Sequence, residues 1–157
     1  SGENVFLGVL TTEKPETAEA MYVGHVRGTR SAPTNAAEGK VFPLLATAMG
    51  AALTSAESRG WRERGLRRIG SREALVFDGG VDGVRRTLAS CRQRGYLVQF
   101  GSSSVAIAAP IPTGDGYPTA AVEVVLSPER WDEGTFAHQI REAAQAIARE
   151  LRRERQR

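Results

Sequence analysis

Few side chains in this sequence could carry out chemistry. There are two histidines, His25 and His138, and one cysteine, Cys91. Covalent catalysis needs a nucleophile, a base within hydrogen-bond reach and a group that orients the base, and the pattern shows no such set. We expect both histidines to be surface or structural residues. Without a second cysteine or an HExxH motif, the sequence predicts neither a metal site nor a cofactor, and nothing in it argues for an enzyme.

Cys91 lies on one face of a predicted helix. Val84, Leu88 and Cys91 recur at the spacing of a single helical stripe. A cysteine on an apolar stripe behaves as a small hydrophobic residue, so we expect a buried, unreactive thiol.

Glu123 is the most unusual ionisable residue, because the strand around it, "AAVEVVL", is otherwise small and apolar. Strand alternation places Glu123 on the same face as Ala121 and Val125, opposite Val122 and Val124. Two interpretations are open. Either this face is in solvent, or Glu123 points into a cavity where a carboxylate must be paired or bound to a ligand.

The segment "YLVQFGSSSVAIAAPI" (96–111) joins two β-rich runs through a glycine and three serines. Four small polar residues form a tight hairpin turn easily, and their hydroxyls could also line a ligand site. The residues alone leave both interpretations open.

Composition indicates one globular domain of 157 residues with a net charge of +3. No run is long enough to span a membrane, and a single cysteine fits a reducing compartment, so we expect a cytoplasmic protein. All basic residues except Lys14 and Lys40 are arginines, and they are concentrated at 59–72 and 149–157. These runs could contact nucleic acid, but they lack interleaved aromatic residues, which favours a solvated surface.

The periodicity predicts strands and helices in a mixed order. Strands are expected at 4–10, 20–28, 73–77, 96–100, 105–111 and 119–126, with a loop at 29–43 that could include one short strand, and a hairpin turn at 113–117. Helices are expected at 44–58, at 61–69, from 82 to the cap at 95, and from 132 to beyond 151.

Particular residues set the expected helix ends. Pro43 suits the first turn of the first helix and Gly60 its end. Asp82 and Asp132 are the expected N-caps of the third and fourth helices, and Gly95 closes the third. The fourth helix carries an apolar stripe: Phe136, Ile140, Ala143, Ile147 and Leu151. Hairpin-linked strands with amphipathic helices indicate an α+β sandwich with an antiparallel sheet, covered on at least one face.

Three stretches resemble a known family when taken together. They are "EGKVFPLLATAMGAAL", "CRQRGYLVQFGSSSVAIAAPI" and "AAVEVVLSPERW…IREAAQAIARELRR". In order and approximate spacing they resemble the C-terminal effector-binding domain of IclR-type bacterial transcriptional regulators. That family typically shows P-L-H-A-T-A-x-G-K-A, R-x-x-G-Y before I-A-A-P, and A-L-S-V-S-G-P. The resemblance covers nearly the whole chain, and R-x-R-G-Y with I-A-A-P carries most of it.

The resemblance implies a GAF-like fold: an antiparallel sheet of about six strands flanked by helices, with a small-molecule pocket on one sheet face. It also implies a homodimer or homotetramer. In the family this domain controls an N-terminal winged helix-turn-helix that binds DNA. We expect that domain upstream of Ser1, so that this chain alone senses an effector and meets DNA only through the missing part. A stand-alone GAF-like interaction module, or an enzyme using the same cavity, is the alternative.

The resemblance also maps an effector site onto this sequence. The polar residue after the G-Y strand corresponds to Gln99, and the residue before I-A-A-P corresponds to Ala106. The loop that covers the pocket maps near Ser31 and Thr34. The remaining positions are the backbone of the T-A-x-G helix start, Thr47, Ala48, Met49 and Gly50, and the two serine positions of S-V-S, Glu123 and Val125.

The departures from the family pattern bear on the ligand. Leu45 and Ala51 stand where histidine and lysine are usual. The GSSS connection is shorter than is usual in the family and lacks its acidic run, which favours a tight turn over a ligand loop. Glu123 replaces a pocket serine. A buried Glu123 would repel an organic acid, the typical effector of the family, unless it is protonated or paired. The sequence therefore predicts a neutral, hydroxyl-rich ligand, an amine, or no ligand of the usual kind.

Overall fold

The computed structural model describes residues 2–30, 34, 36–68, 79–114 and 119–157. Six strands are present in these ranges: β1 (Asn4–Leu10), β2 (Glu19–Val26), β3 (Val41–Pro43), β4 (Leu97–Phe100), β5 (Val105–Ile111) and β6 (Ala120–Leu126). They form one antiparallel sheet in the order β3-β2-β1-β6-β5-β4. The α+β class and the number of strands are confirmed. The sixth strand is the short β3 inside the predicted loop, while the strand predicted at 73–77 lies outside the described residues.

Four α-helices are present in the described part of the chain. They are α1 (Ala48–Ser55), α2 (Arg59–Arg67), α3 (Gly80–Arg94) and α4 (Glu133–Arg155). Helix α4 packs on β5 and β6 from one face, and α1 packs on the opposite face with α3 beside it. None of the described helices is long and apolar enough to cross a membrane.

Strand alternation divides the apolar side chains between two cores. Phe6, Tyr22 and Met49 belong to the core between the sheet and α1. Ile107 and Ile140 belong to the core under α4. On α4, Phe136 and Ile140 are buried as predicted, together with Ala137, Ala144 and Ala148, whereas Ala143, Ile147 and Leu151 are half-buried.

Helix α1 begins later than the sequence indicated. Pro43 ends strand β3 and does not occupy the first helical turn, so that expectation is wrong. The N-cap is Thr47, whose side chain accepts a hydrogen bond from the amide of Gly50 at 3.1 Å. A threonine cap satisfies an amide that a helix start leaves without a partner, and this decides the boundary.

Two other predicted helix ends are also wrong. Gly60 does not end α1, which stops at Ser55; Gly60 lies inside α2, which Ser58 caps through the amide of Trp61. Asp82 does not cap α3, because the chain turns into that helix at Gly79, whose φ of 90° suits glycine. Gly95 ends α3 as predicted, with a φ of 84°.

The fourth helix and the GSSS connection follow the sequence closely. Asp132 is the N-cap residue of α4, although its carboxylate accepts from the Thr135 hydroxyl at 2.6 Å rather than from a backbone amide. Residues 101–104 join β4 to β5 as an exposed turn closed by the amide of Gly101 and the carbonyl of Ser104, 2.8 Å apart. Of the hairpin turn predicted at 113–117, residues 115–117 lie outside the described residues.

Candidate functional site

Glu123 is buried between the sheet and the start of α1. It lies in the middle of β6, and only 2% of its surface is exposed. The Tyr22 hydroxyl donates to Oε1 at 2.8 Å, and the Met49 amide donates to Oε2 at 2.9 Å. The solvated interpretation of this face is therefore excluded, and the carboxylate is paired inside the protein.

The register of the sheet brings the predicted strand residues together. Gln99 pairs with Ala106 across β4 and β5, and Ala106 pairs with Val125 across β5 and β6. Val125 and Glu123 alternate on the same face of β6. These four side chains thus lie on the sheet face that α1 covers, with Gln99 and Ala106 only half-buried.

The predicted helix residues meet this face at one point, the first turn of α1. Ala48, Met49 and Gly50 are buried, and the Met49 amide supplies the contact with Glu123. Thr47 is half-buried and caps the helix. A carboxylate at a helix N-terminus is favourable because the amides there carry partial positive charge.

Of the two residues assigned to the covering loop, only Thr34 falls within the described part of the chain. Thr34 is exposed, and its hydroxyl accepts from the amide of Ala36 at 3.0 Å, which is a local turn contact. Ser31 lies outside the described residues.

Two glycines allow α1 to approach the sheet and the preceding chain. A Cβ on Gly50 would lie 1.8 Å from the carbonyl oxygen of Leu44. A Cβ on Gly8 would lie 2.7 Å from Sδ of Met49. The side chain of Met49 therefore rests directly on the backbone of β1, and the space between strand and helix is filled.

Burial determines the ionisation of Glu123. Desolvation raises the pKa of its carboxyl from 4.5 to about 7, and the hydrogen bonds from Tyr22 and Met49 oppose this increase only in part. None of the ion pairs among the described residues includes Glu123. The group therefore changes charge near neutral pH, and no cation among the described residues is paired with it.

Tyr22 is a site residue that the sequence analysis missed. It is 1% exposed, and burial followed by the charge of Glu123 raises the pKa of its hydroxyl above the usual value. On its strand, "EAMYVGHV", Tyr22 points to the same buried face as Ala20. A tyrosine hydroxyl on a buried strand face could have been recognised as a group that needs a hydrogen-bond partner, but the sequence does not show that the partner is Glu123 on another strand.

This arrangement has spare hydrogen-bonding capacity. An ionised carboxylate offers about four acceptor positions, and Glu123 uses two of them. A hydroxyl or an ammonium group could be accepted at the others if the side chains packed over Glu123 moved aside, whereas a second carboxylate would meet like charge in a desolvated place. Four surface clefts of about 450, 660, 370 and 330 Å³ lie elsewhere, and none is lined by Glu123.

The residues that could have been catalytic are structural or exposed. His25 is exposed and stacks on Phe6 with ring centroids 4.3 Å apart, and His138 is exposed on α4. Cys91 is buried, and desolvation raises the pKa of its thiol. Within the described ranges no group of three or more His, Cys, Asp or Glu residues could hold a metal ion.

Comparison with known structures gives closely similar folds. An IclR homologue from Microbacterium hydrocarbonoxydans, crystallised with 4-hydroxybenzoate, is 25% identical with a TM-score of 0.77, covering 96% of this chain and 61% of that chain. The Thermotoga maritima IclR is 23% identical with a TM-score of 0.79, covering 96% and 62%. The Agobacterium tumefaciens repressor BlcR is 23% identical with a TM-score of 0.73, covering 95% and 60%. Because the last two structures are each only 23% identical to this chain, they show only that the fold is similar.

Comparisons of the sequence alone address the family to which the chain belongs. No curated protein matches the chain significantly. The family model described as "Bacterial transcriptional regulator IclR C-terminal" matches residues 1–151. The chain spans about three fifths of the length of the three structures named above. It therefore belongs to the IclR family of bacterial transcriptional regulators, of which it carries the C-terminal domain.

Proposed function

We propose that this chain is the effector-sensing and self-associating part of a transcriptional regulator, with its small-molecule site on the α1 face of the sheet. The observation that carries this proposal is Glu123, a buried carboxylate that joins Tyr22 to the first turn of α1. The candidate residues Gln99, Ala106 and Val125 line up beside it. The relative solved with 4-hydroxybenzoate supports a ligand-binding role for the fold.

The proposed ligand is a small molecule that carries hydroxyl or amine donors. Such donors use the free acceptor positions of Glu123, and an ammonium group also supplies the missing positive charge. A simple carboxylate would bind only to the protonated form of Glu123, whose pKa is about 7. Effector binding would favour one arrangement of the oligomer and so alter the spacing of the DNA-binding domains.

A matched set of three compounds tests the ligand class. Calorimetric titrations would compare 4-hydroxybenzoate, 4-hydroxybenzyl alcohol and 4-hydroxybenzylamine, which differ mainly in charge. We expect the alcohol and the amine to bind the native protein at pH 8 at least about tenfold more tightly than the acid, because desolvated like charges repel. Glu123→Ser and Glu123→Gln should remove this preference. Tight binding of the acid that Glu123→Ser leaves unchanged would refute the proposed ligand class.

The packing of the site also fits an alternative function, that of an interaction module that binds no ligand. Tyr22 and Met49 fill the space above Glu123 from within the chain, as expected for an interaction module that binds no ligand. A thermal-shift screen of small metabolites separates the two. Stabilisation that is lost in Glu123→Ser supports sensing, and the absence of any stabilising compound supports the module.

The self-association surface is proposed on the outer face of β1, β2 and β3. Helix α4 covers β5 and β6 on this side, and an apolar half-face remains on which Val26 is 69% exposed and Val41 is 42% exposed. Covering these valines with a second copy would remove apolar surface from water. We expect Val26→Glu to lower the mass measured by light scattering, and Val81→Glu on α3 to leave it unchanged. An unchanged mass for Val26→Glu would exclude this face.

The proposed whole protein also has a winged helix-turn-helix upstream of Ser1 and acts in the cytoplasm on DNA. The gene sequence immediately upstream tests this. A winged helix-turn-helix supports the regulator, and a start codon at this position with no further domain contradicts it.

A further inference from the structure

A cleft of about 450 Å³ lies between α2 and α3, away from the sheet-face site. Arg59 and Arg62 line it from α2, and Arg85 and Arg92 line it from α3. On each helix these residues occupy positions i, i+3, i+4 or i+7 of one face, the face that normally carries apolar side chains toward a neighbouring helix. Arginines thus lie where two helices face each other.

Only part of this positive charge is neutralised. Arg85 pairs with Glu63 at 3.0 Å and with Asp82 at 2.8 Å. Arg59 forms no ion pair within the part of the chain that the structure describes. Four guanidinium groups therefore line the cleft with one carboxylate, that of Glu63.

Arg62 and Arg92 are held in place by backbone carbonyls. Nη1 of Arg92 donates to the carbonyl oxygen of Ser55 at 2.7 Å and to that of Glu57 at 3.2 Å. Arg62 donates to the same Glu57 oxygen. The two cations are positioned side by side at the end of α1 with most of their N–H donors still available. Desolvation, then the charges of Arg92 and Arg59, lower the pKa of Arg62.

The floor of the cleft is apolar. Leu66 of α2 is 4% exposed and Leu88 of α3 is 2% exposed. The cleft therefore combines positioned guanidinium groups with an apolar floor. Its volume is typical of small-molecule sites.

We propose that this cleft binds a compact small molecule with clustered anionic oxygens, such as a phosphate or polycarboxylate group. Guanidinium groups bind such oxygens in pairs, and an anion would relieve the repulsion between Arg59, Arg62 and Arg92. The cleft lies at the opposite end of α1 from Glu123, so this site is distinct from the proposed sheet-face site and does not depend on it.

The test uses inorganic phosphate, pyrophosphate and citrate as probes. Each is titrated at constant ionic strength, with chloride as the reference, while the arginine Nε–H resonances are followed by NMR. We expect saturable shifts for pyrophosphate or citrate that chloride does not cause. The absence of saturation with all three probes up to about 10 mM, equivalent to less than 3 kcal/mol of binding free energy, would overturn the proposal.

Matched variants locate the site. Arg59→Gln removes an exposed arginine that has no ion pair to lose in the described structure, so it should fold normally, and it should weaken binding about tenfold, as expected for one charge-assisted hydrogen bond. Glu63→Gln removes the carboxylate at the cleft and should strengthen binding. The control Arg67→Gln removes an exposed arginine of α2 that does not line the cleft and should change affinity less than about twofold.

Two outcomes would contradict a small-anion site. An equal loss in Arg59→Gln and Arg67→Gln would mean that only overall surface charge matters. Tighter binding of a short DNA duplex than of any probe, lost in Arg59→Gln, would identify a nucleic-acid surface instead.

Discussion

Glu123→Gln should change how the stability of this domain depends on pH. The substitution keeps the size of the side chain and imitates the protonated carboxyl. The pKa of Glu123 is about 7 in the folded protein and 4.5 in the ordinary, solvated state. Because the folded state holds the proton more tightly, the native protein gains stability from this group below pH 4.5 and loses it as the pH rises to about 7.

The size of the effect follows from that difference. One pKa unit corresponds to about 1.4 kcal/mol, so the complete transition corresponds to about 3 kcal/mol, of which about 2.5 kcal/mol falls between pH 5 and pH 8. Other carboxyls act in the opposite direction: an ion pair with Arg85 lowers the pKa of Glu63, for example. Subtracting the free energy of unfolding of the variant from that of the native protein at each pH removes the contribution of these carboxyls, provided that the substitution leaves them unchanged.

The assay is denaturant unfolding of both proteins at several pH values from 5 to 8. We expect the stability of Glu123→Gln relative to the native protein to increase by about 2.5 kcal/mol across this range. The control Glu38→Gln removes an exposed carboxylate and should follow the native profile. A relative stability of Glu123→Gln that stays constant, or that decreases toward alkaline pH, would refute the inference that burial raises the pKa of Glu123.

Three further predictions concern the packing around this site. Tyr22→Phe removes the hydroxyl that lowers the pKa of Glu123, so we expect that pKa, measured by NMR titration, to rise above its native value and the stability at pH 8 to fall by about 1–3 kcal/mol. Gly50→Ala places a Cβ 1.8 Å from the carbonyl of Leu44, and we expect a lower melting temperature and reduced soluble yield; an unchanged melting temperature would contradict this packing. The buried Cys91 thiol should react with a disulfide reagent only as fast as the protein unfolds, and rapid reaction of the native protein would show that it is accessible.

The fold was largely predictable because its signals are local. The short, β-rich apolar runs "AAVEVVL" and "VAIAAPI" identified β6 and β5, and short connections such as residues 101–104 implied antiparallel neighbours. The helix boundaries were less predictable. Thr47 rather than Pro43 begins α1, since the cap depends on which amides the packed chain leaves without partners.

Strand alternation placed Glu123 on one face with Ala121 and Val125, and the resemblance to the family assigned it to a position where serine is usual. The sequence did not show whether that face of the strand is exposed to solvent or buried. The folded chain answers this question, because the pairing order β2-β1-β6 and the docking of α1 bring Tyr22 and Met49 to Glu123. Burial and hydrogen-bond partners of this kind arise from residues far apart in the chain, and no local pattern encodes them.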